Sequence, residues 1–279
     1  MTYITAMFLG FVQGVAEFLP VSSSGHLALL QHFMGLTDLE HDHVFFDVLL
    51  HFGTFLSVCI VYRRDILEMT AEFFAGIVAL FSGYGSRQSP VPPARRLVML
   101  VILGTLPLFL ILPVKDTVEG LYSNPLLIGF ALLATGLILF FSDRLAKGRK
   151  TEKSAAITDA LLVGCAQAIA VVPGISRSGA TISAGMLRGF DRRFAVRFSF
   201  LLSLPAILGA NILSLIDAIK AGFDLSLLPV YLAGVAVALI SGCFAIALVK
   251  TLAERGKFGR FAYYCWMIGI IAIAAAVLT

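Results

Sequence analysis

Apolar runs long enough to cross a bilayer recur along this 279-residue sequence, at roughly 43–62, 95–113, 125–142, 195–218, 227–249 and 261–278. A helix crossing the hydrocarbon core needs about 20 such residues, and only a helix or closed barrel satisfies its backbone amides there. Charged residues make up 14% of the chain and the mean hydropathy is +0.94, against about 25% charged in an ordinary soluble domain. The chain is therefore expected to be an all-α polytopic membrane protein, a single integral membrane domain over residues 1–279. No basic stretch precedes the apolar start, MTYITAMFLGF, so no cleaved signal peptide is expected. The net charge of +4 is small and points to loop orientation, not to nucleic-acid binding. Cys59, Cys165, Cys243 and Cys265 stand singly in apolar segments, a pattern of packing without metal or redox spacing.

The basic residues gather at Arg63-Arg64, at Arg87 with Arg95-Arg96, from Arg144 to Lys153, from Arg188 to Arg197 and from Lys250 to Arg260. The positive-inside rule puts these clusters in the cytoplasm and makes the six spans alternate, ending outside. Residues 154–187 are apolar yet lie between two such clusters, so they must enter the membrane and return on the same side, turning at Pro173-Gly174. Residues 1–34, broken at Leu19-Pro20, precede a span that starts outside and should enter and return there. Six transmembrane helices plus two re-entrant helix pairs follow. Segment 66–82, basic on both flanks, is expected to lie along the interface or dip into it, and 82–96 to form a cytoplasmic loop.

The two broken segments match at an offset of 154 residues: Gly10 with Gly164, Gln13 with Gln167, Ser22 with Ser176, Ser24-Gly25 with Ser178-Gly179, and Phe46 with Phe200. Their opposite directions of entry predict an inverted-topology repeat, about 1–142 and 154–279, with broken helices meeting near the midplane. Irregular backbone at that depth survives only when buried in protein or lining a wet cavity. Serines at the breaks can cap the following helices, near Gly25 and Gly179, and paired helix N-termini favour an anion. Arg177 adds a full charge with a planar fork suited to phosphate or carboxylate. In the first break, Gln13 and Glu17 share a helix face. A carboxylate at membrane depth costs roughly 2.5–3.5 kcal/mol, which calls for a partner or a task. His26 carries protons near neutral pH. Glu17, His26, the serines and Arg177 supply a base, nucleophiles and an anion clamp, the parts for phosphoryl or acyl transfer. The competing reading is a carrier for an anion or a lipid phosphate, or a flippase, built on the same inverted repeat. His51, four residues after Asp47, reads as a structural pair, and His41 and His43 beside Asp42 as a solvated loop.

The stretches QGVAEFLPVSSSGH (13–26), FFDVLLHFGT (45–54), PGISRSGATIS (173–183) and FSFLLSLP (198–205) closely resemble the undecaprenyl-diphosphatase family of the bacitracin-resistance type. That resemblance covers essentially the whole chain. It implies dephosphorylation of undecaprenyl diphosphate to the monophosphate carrier reused for cell-wall sugars, a bacterial plasma-membrane location and a site open to the outer face. It places catalytic roles on Glu17, Ser23, His26 and Arg177, and substrate binding on Gln13, Ser22, Ser24, Ser176, Ser178 and Thr181. Gln13 stands where the family also allows a glutamate, so this sequence offers one carboxylate where two would hold a metal. The resemblance implies stimulation by magnesium or calcium, bound mainly through the substrate diphosphate. Its partners would be the polyprenyl diphosphate and membrane lipids, with no nucleic acid; a homodimer is left open.

Overall fold

The computed structural model describes residues 1–33, 44–81, 91–114, 117–118, 120–221 and 225–278. Among them the regular structure is helical, apart from one bridge between Lys150 and Phe190. In chain order the α-helices are α1 (Tyr3–Phe18), α2 (Ser23–Phe33), α3 (Val44–Val61), α4 (Arg63–Phe81), α5 (Pro93–Thr105), α6 (Pro125–Leu145), α7 (Ile157–Ile169), α8 (Arg177–Leu187), α9 (Arg192–Ala221), α10 (Leu228–Glu254) and α11 (Phe261–Leu278). Five stretches are long and apolar enough to cross a membrane: Pro93–Val114, Pro125–Leu145, Arg192–Ile216, Leu228–Glu254 and Phe258–Leu278. The expected span at 43–62 is α3, which turns through 84° into α4; counted as one broken span, this pair makes a sixth. The chain is a multi-pass helical membrane protein. Residues 66–81 belong to α4, while 82–90 and the trio His41, Asp42 and His43 lie outside the described residues.

The helix limits follow from local chemistry. Thr2 caps α1 by accepting from the Thr5 amide, and Asn124 caps α6 through Leu127, with Pro125 opening the helix. The expected span 95–113 is α-helical only to Thr105. From Leu106 to Val114 it tightens into a 3₁₀ helix: Pro107 supplies no amide for the Leu103 carbonyl, and the Leu106 amide bonds that carbonyl instead.

The short helices α1 and α7, one from each broken segment, are each clasped by a long helix at a glycine crossing. A β-carbon on Gly10 would lie 2.2 Å from the carbonyl oxygen of Gly234 on α10. One on Gly164 would lie 2.1 Å from the carbonyl oxygen of Gly104 on α5. Backbones this close leave no room for any side chain. Below the breaks the core is aromatic: Phe18 of α1 meets Phe200 of α9 edge-on at 5.5 Å, and Phe190, Phe194 and Phe198 pack together on the far side.

Ion pairs tie the basic ends of the helices together. Asp143 of α6 pairs with Arg192 and accepts from the Gly259 amide, while Arg197 reaches Asp65 and Glu152. Asp159, fully buried at the start of α7, accepts from Lys150 and Arg188, each at 2.8 Å, and from the Ala156 amide. Burial alone would push its carboxyl up; Lys150, the Ala156 amide and Arg188 outweigh it and hold the group below the ordinary aspartate value of 3.8.

Two predictions follow from the packing and the pairs. Gly10→Ala and Gly164→Ala should each lose about 1–3 kcal/mol of stability through overpacking, measured as a lower thermal midpoint in detergent. Gly209→Ala, where nothing lies within 4 Å, should be neutral or slightly stabilising. Because the folded Asp159 carboxyl titrates low, its contribution is intact at neutral pH and is lost as pH falls below about 4. Asp159→Asn should therefore lower the midpoint at pH 7 and flatten the loss of stability on acidification.

Candidate active site

Both breaks are built from the sequence outward. Leu19 takes the extended backbone that a following proline favours, and α1 stops there. Ser22 then takes a left-handed backbone, φ 69°, rare for a residue with a side chain, and the turn launches α2. Its hydroxyl accepts from the Gly25 amide at 3.2 Å and, across the repeat, from the Gly174 amide at 3.2 Å. In the second break Gly174 has φ 93°, and a β-carbon would meet the Ile128 carbonyl at 2.6 Å. Ser176 caps α8 by accepting from the Gly179 amide at 3.1 Å.

The two breaks touch reciprocally. Gly25 lies against Gly174, and Gly179 against Pro20. Ser178 donates to the Leu19 carbonyl at 3.2 Å. A hydroxyl or thiol from α6 or α11 braces each turn: Thr135 donates to the Gly174 carbonyl at 2.9 Å, and Cys265 to that of Pro20 at 3.4 Å. The N-termini of α2 and α8 therefore converge, and their dipoles add a positive field between them.

The charged centre spans this junction. Arg177 Nη2 donates to Glu17 Oε1 at 2.8 Å; Glu17 Oε2 accepts from Ser23 Oγ at 2.8 Å and from Gln13 Nε2 at 3.1 Å. The Glu17 side chain is almost fully buried, whereas Arg177 keeps 29% of its side chain exposed. Among the described residues Glu17 is the side-chain partner of Arg177, which leaves guanidinium N–H groups to offer a ligand. Among the described residues the buried Gln13 Oε1 has no hydrogen-bond partner. A cavity of about 10 Å³, lined by Glu17, Arg177, Ser178, Thr181, Ser199 and Ser203 among others, is about the size of one water.

Of the residues singled out from sequence, Gln13, Glu17, Ser23 and Arg177 meet directly. Ser22 and Ser24 are neighbours at 3.3 Å, as are Ser176 and Ser178 at 3.2 Å. Ser22, Ser176 and Ser178 brace the two turns, and Thr181 is engaged by the Arg177 carbonyl and by Ser199 at 2.6 Å. His26 stands apart from Glu17. Its Nδ1 is 2.8 Å from the Ser22 carbonyl and its Nε2 2.8 Å from the Tyr264 hydroxyl. His51 bonds the backbone carbonyl of Asp47 and lies close enough to Glu17 to interact with its charge. Thr135, Ser199 and Tyr264 did not stand out in the sequence; the one available signal was a polar side chain alone in an apolar span.

Among the described residues no group of three or more His, Cys, Asp or Glu could hold a metal ion. Gln13 Oε1 and the Glu17 carboxylate are the amide and carboxylate oxygens at the centre. They fit a hard cation that takes most of its ligands from phosphate and water.

The family model for bacitracin resistance protein BacA matches residues 6–271. The chain belongs to the BacA family. BacA-family relatives named undecaprenyl-diphosphatase include those of Alkaliphilus metalliredigens, 41% identical over 279 residues and 100% of both chains, and Halothermothrix orenii, 39% identical over 99% of both. That of Methanosphaera stadtmanae is 38% identical over 99% of this chain and 98% of its own. Every part of the centre lies within the span that the BacA model covers.

Removing the Ser22 hydroxyl orphans two buried amides at the junction. Ser22→Ala should cost about 1–3 kcal/mol per unpaired group, seen as a lower thermal midpoint that addition of a substrate analogue only partly restores.

Proposed function

We propose that this chain hydrolyses undecaprenyl diphosphate to undecaprenyl phosphate and inorganic phosphate, returning the lipid carrier to cell-wall synthesis. The observation that carries the reading is the single carboxylate of Glu17 holding both Ser23 and Arg177. An attacking hydroxyl and an anion clamp share one base. An anion or lipid-phosphate carrier would use Arg177 and the helix ends but has no need of Ser23 aligned on Glu17.

In the resting site Arg177 weakens Glu17 as a base by pairing with it. An arriving diphosphate competes for the guanidinium, whose planar fork matches phosphate oxygens. As Arg177 turns to the phosphates, Glu17 loses its cation and becomes the stronger proton acceptor. It takes the proton of Ser23, or of a water held there, as that oxygen bonds to the terminal phosphorus. The bridging P–O bond breaks and its electron pair leaves with undecaprenyl phosphate; where Ser23 attacks, water then displaces it from phosphorus, the Ser23 oxygen takes back the proton held by Glu17, and inorganic phosphate is released. Arg177 and the N-termini of α2 and α8 hold the charge spread over the transferred group. His26, one turn beyond Ser23 on α2, is a second base for the attacking group, or itself the nucleophile. A magnesium or calcium ion would be held by phosphate oxygens with Gln13 and Glu17, and would supply further neutralisation of the diphosphate.

The same reading takes the two broken segments as re-entrant halves of an inverted repeat, 1–142 and 154–279. The offset of 154 residues supports it: Gly10 and Gly164 make matching glycine crossings, and Gly25–Gly174 mirrors Gly179–Pro20. In this reading the protein lies in the bacterial plasma membrane with its substrate entering sideways from the bilayer, and the loop charges support a site open to the outer face.

Phosphate release from undecaprenyl diphosphate by the purified protein tests this. Arg177→Ala and Glu17→Gln should each lower turnover by at least about 10²–10³-fold, with Ser23→Ala close behind. Chelation should abolish turnover, and magnesium or calcium should restore it. Binding without release by the unaltered protein would favour the carrier. A phosphorylated peptide containing Ser23 or His26, trapped by mass spectrometry, would distinguish covalent transfer from direct attack by water.

A further inference from the structure

We propose that Tyr264, on α11, is a positioning residue for His26: the Ser22 carbonyl sets which ring nitrogen is basic, and Tyr264 holds that nitrogen in place. The inference rests on the reading of His26 as part of the reacting site. A carbonyl oxygen only accepts hydrogen bonds, so the Ser22 carbonyl, 2.8 Å from Nδ1, requires the proton to sit on Nδ1. In the neutral ring Nε2 is then the bare, basic nitrogen. It lies 2.8 Å from the Tyr264 hydroxyl, which donates to it. The two rings are nearly coplanar in orientation, 8° apart with centroids 5.6 Å apart, so rotation of the imidazole is restrained on both sides.

The phenol suits this place because its oxygen both donates and accepts. When His26 takes a proton, from the hydroxyl or water whose oxygen bonds to phosphorus, that proton lies on Nε2. The Tyr264 hydroxyl then turns from donor to acceptor and stabilises the imidazolium. Tyr264 is itself more than a third exposed, so it can give way as the ring moves towards substrate. Among the described residues Tyr264 is the side chain that bonds His26, and it comes from a helix 238 residues away in sequence. α11 also supplies Cys265, which braces the Pro20 turn. One helix therefore sets both the turn and the base that follows it.

Nitrogen NMR of protein labelled with ¹⁵N-histidine reads the ring directly and needs no turnover. Five histidines are present, and His26→Gln assigns the signal. The unaltered protein should show His26 protonated on Nδ1, with Nε2 an accepting, hydrogen-bonded nitrogen. In Tyr264→Phe, which keeps the ring and deletes only the hydroxyl, the Nε2 signal should move to that of a free nitrogen. Its kcat should fall about 10- to 100-fold while KM stays within about threefold. The opposite tautomer in the unaltered protein, or an unmoved signal in Tyr264→Phe, would overturn the assignment, as would a kcat within twofold of normal. Loss of His26→Ala activity without any Tyr264 effect would overturn this role alone; full activity in His26→Ala would instead undo the reading of the site.

Discussion

The Glu17–Arg177 pair holds the structure to its purpose. The two residues are 160 positions apart and sit at the tips of separate broken segments. Neither is tolerable alone at this depth: a bare carboxylate or guanidinium out of water costs several kcal/mol. Together they make each tip depend on the other. Such a pair is also poised, since either partner that finds a better counter-charge releases the other. A diphosphate is a better counter-charge for Arg177 than one carboxylate, so in the proposed mechanism the pair that stabilises the resting protein is also the one that substrate breaks.

The pair can form only because the backbones approach closely. Gly10 on Gly234 and Gly164 on Gly104 bring the short helices against long ones, and Ser22, Ser176, Ser178, Thr135 and Cys265 satisfy the amides and carbonyls that the breaks leave open. Irregular backbone in a membrane requires such internal satisfaction. The serines that look like ligands in the sequence are therefore committed in large part to the turns, leaving Arg177, Ser23 and the helix dipoles to meet the phosphates.

Much of this was legible in the residues. The breaks at Pro20 and Gly174 announced themselves through proline and glycine amid apolar runs. At an offset of 154 residues Gly10 aligns with Gly164, and each sits against a glycine carbonyl of another helix. Glu17 and Arg177 stood out because charge is scarce in the apolar segments. What could not be read was which polar groups meet. Sequence put His26 beside Glu17 as readily as Ser23, and only the geometry, with Ser23 Oγ on Glu17 and His26 turned to Tyr264, separates them. Thr135 was invisible because a single threonine in a span has no period or motif to mark it, and nothing in the sequence set Tyr264 apart from the adjacent Tyr263. The 3₁₀ stretch Leu106–Val114 was missed for a simpler reason: hydropathy ignores what Pro107 does to the helix before it.

The most direct test of the shared carboxylate is an experimental structure with a non-hydrolysable undecaprenyl diphosphonate bound. The Arg177 guanidinium should lie within hydrogen-bonding distance of the terminal phosphonate, with its bond to Glu17 broken and Ser23 Oγ, or a water beside it, facing that phosphorus. A diphosphonate seated elsewhere, with the Glu17–Arg177 pair intact, would contradict the account.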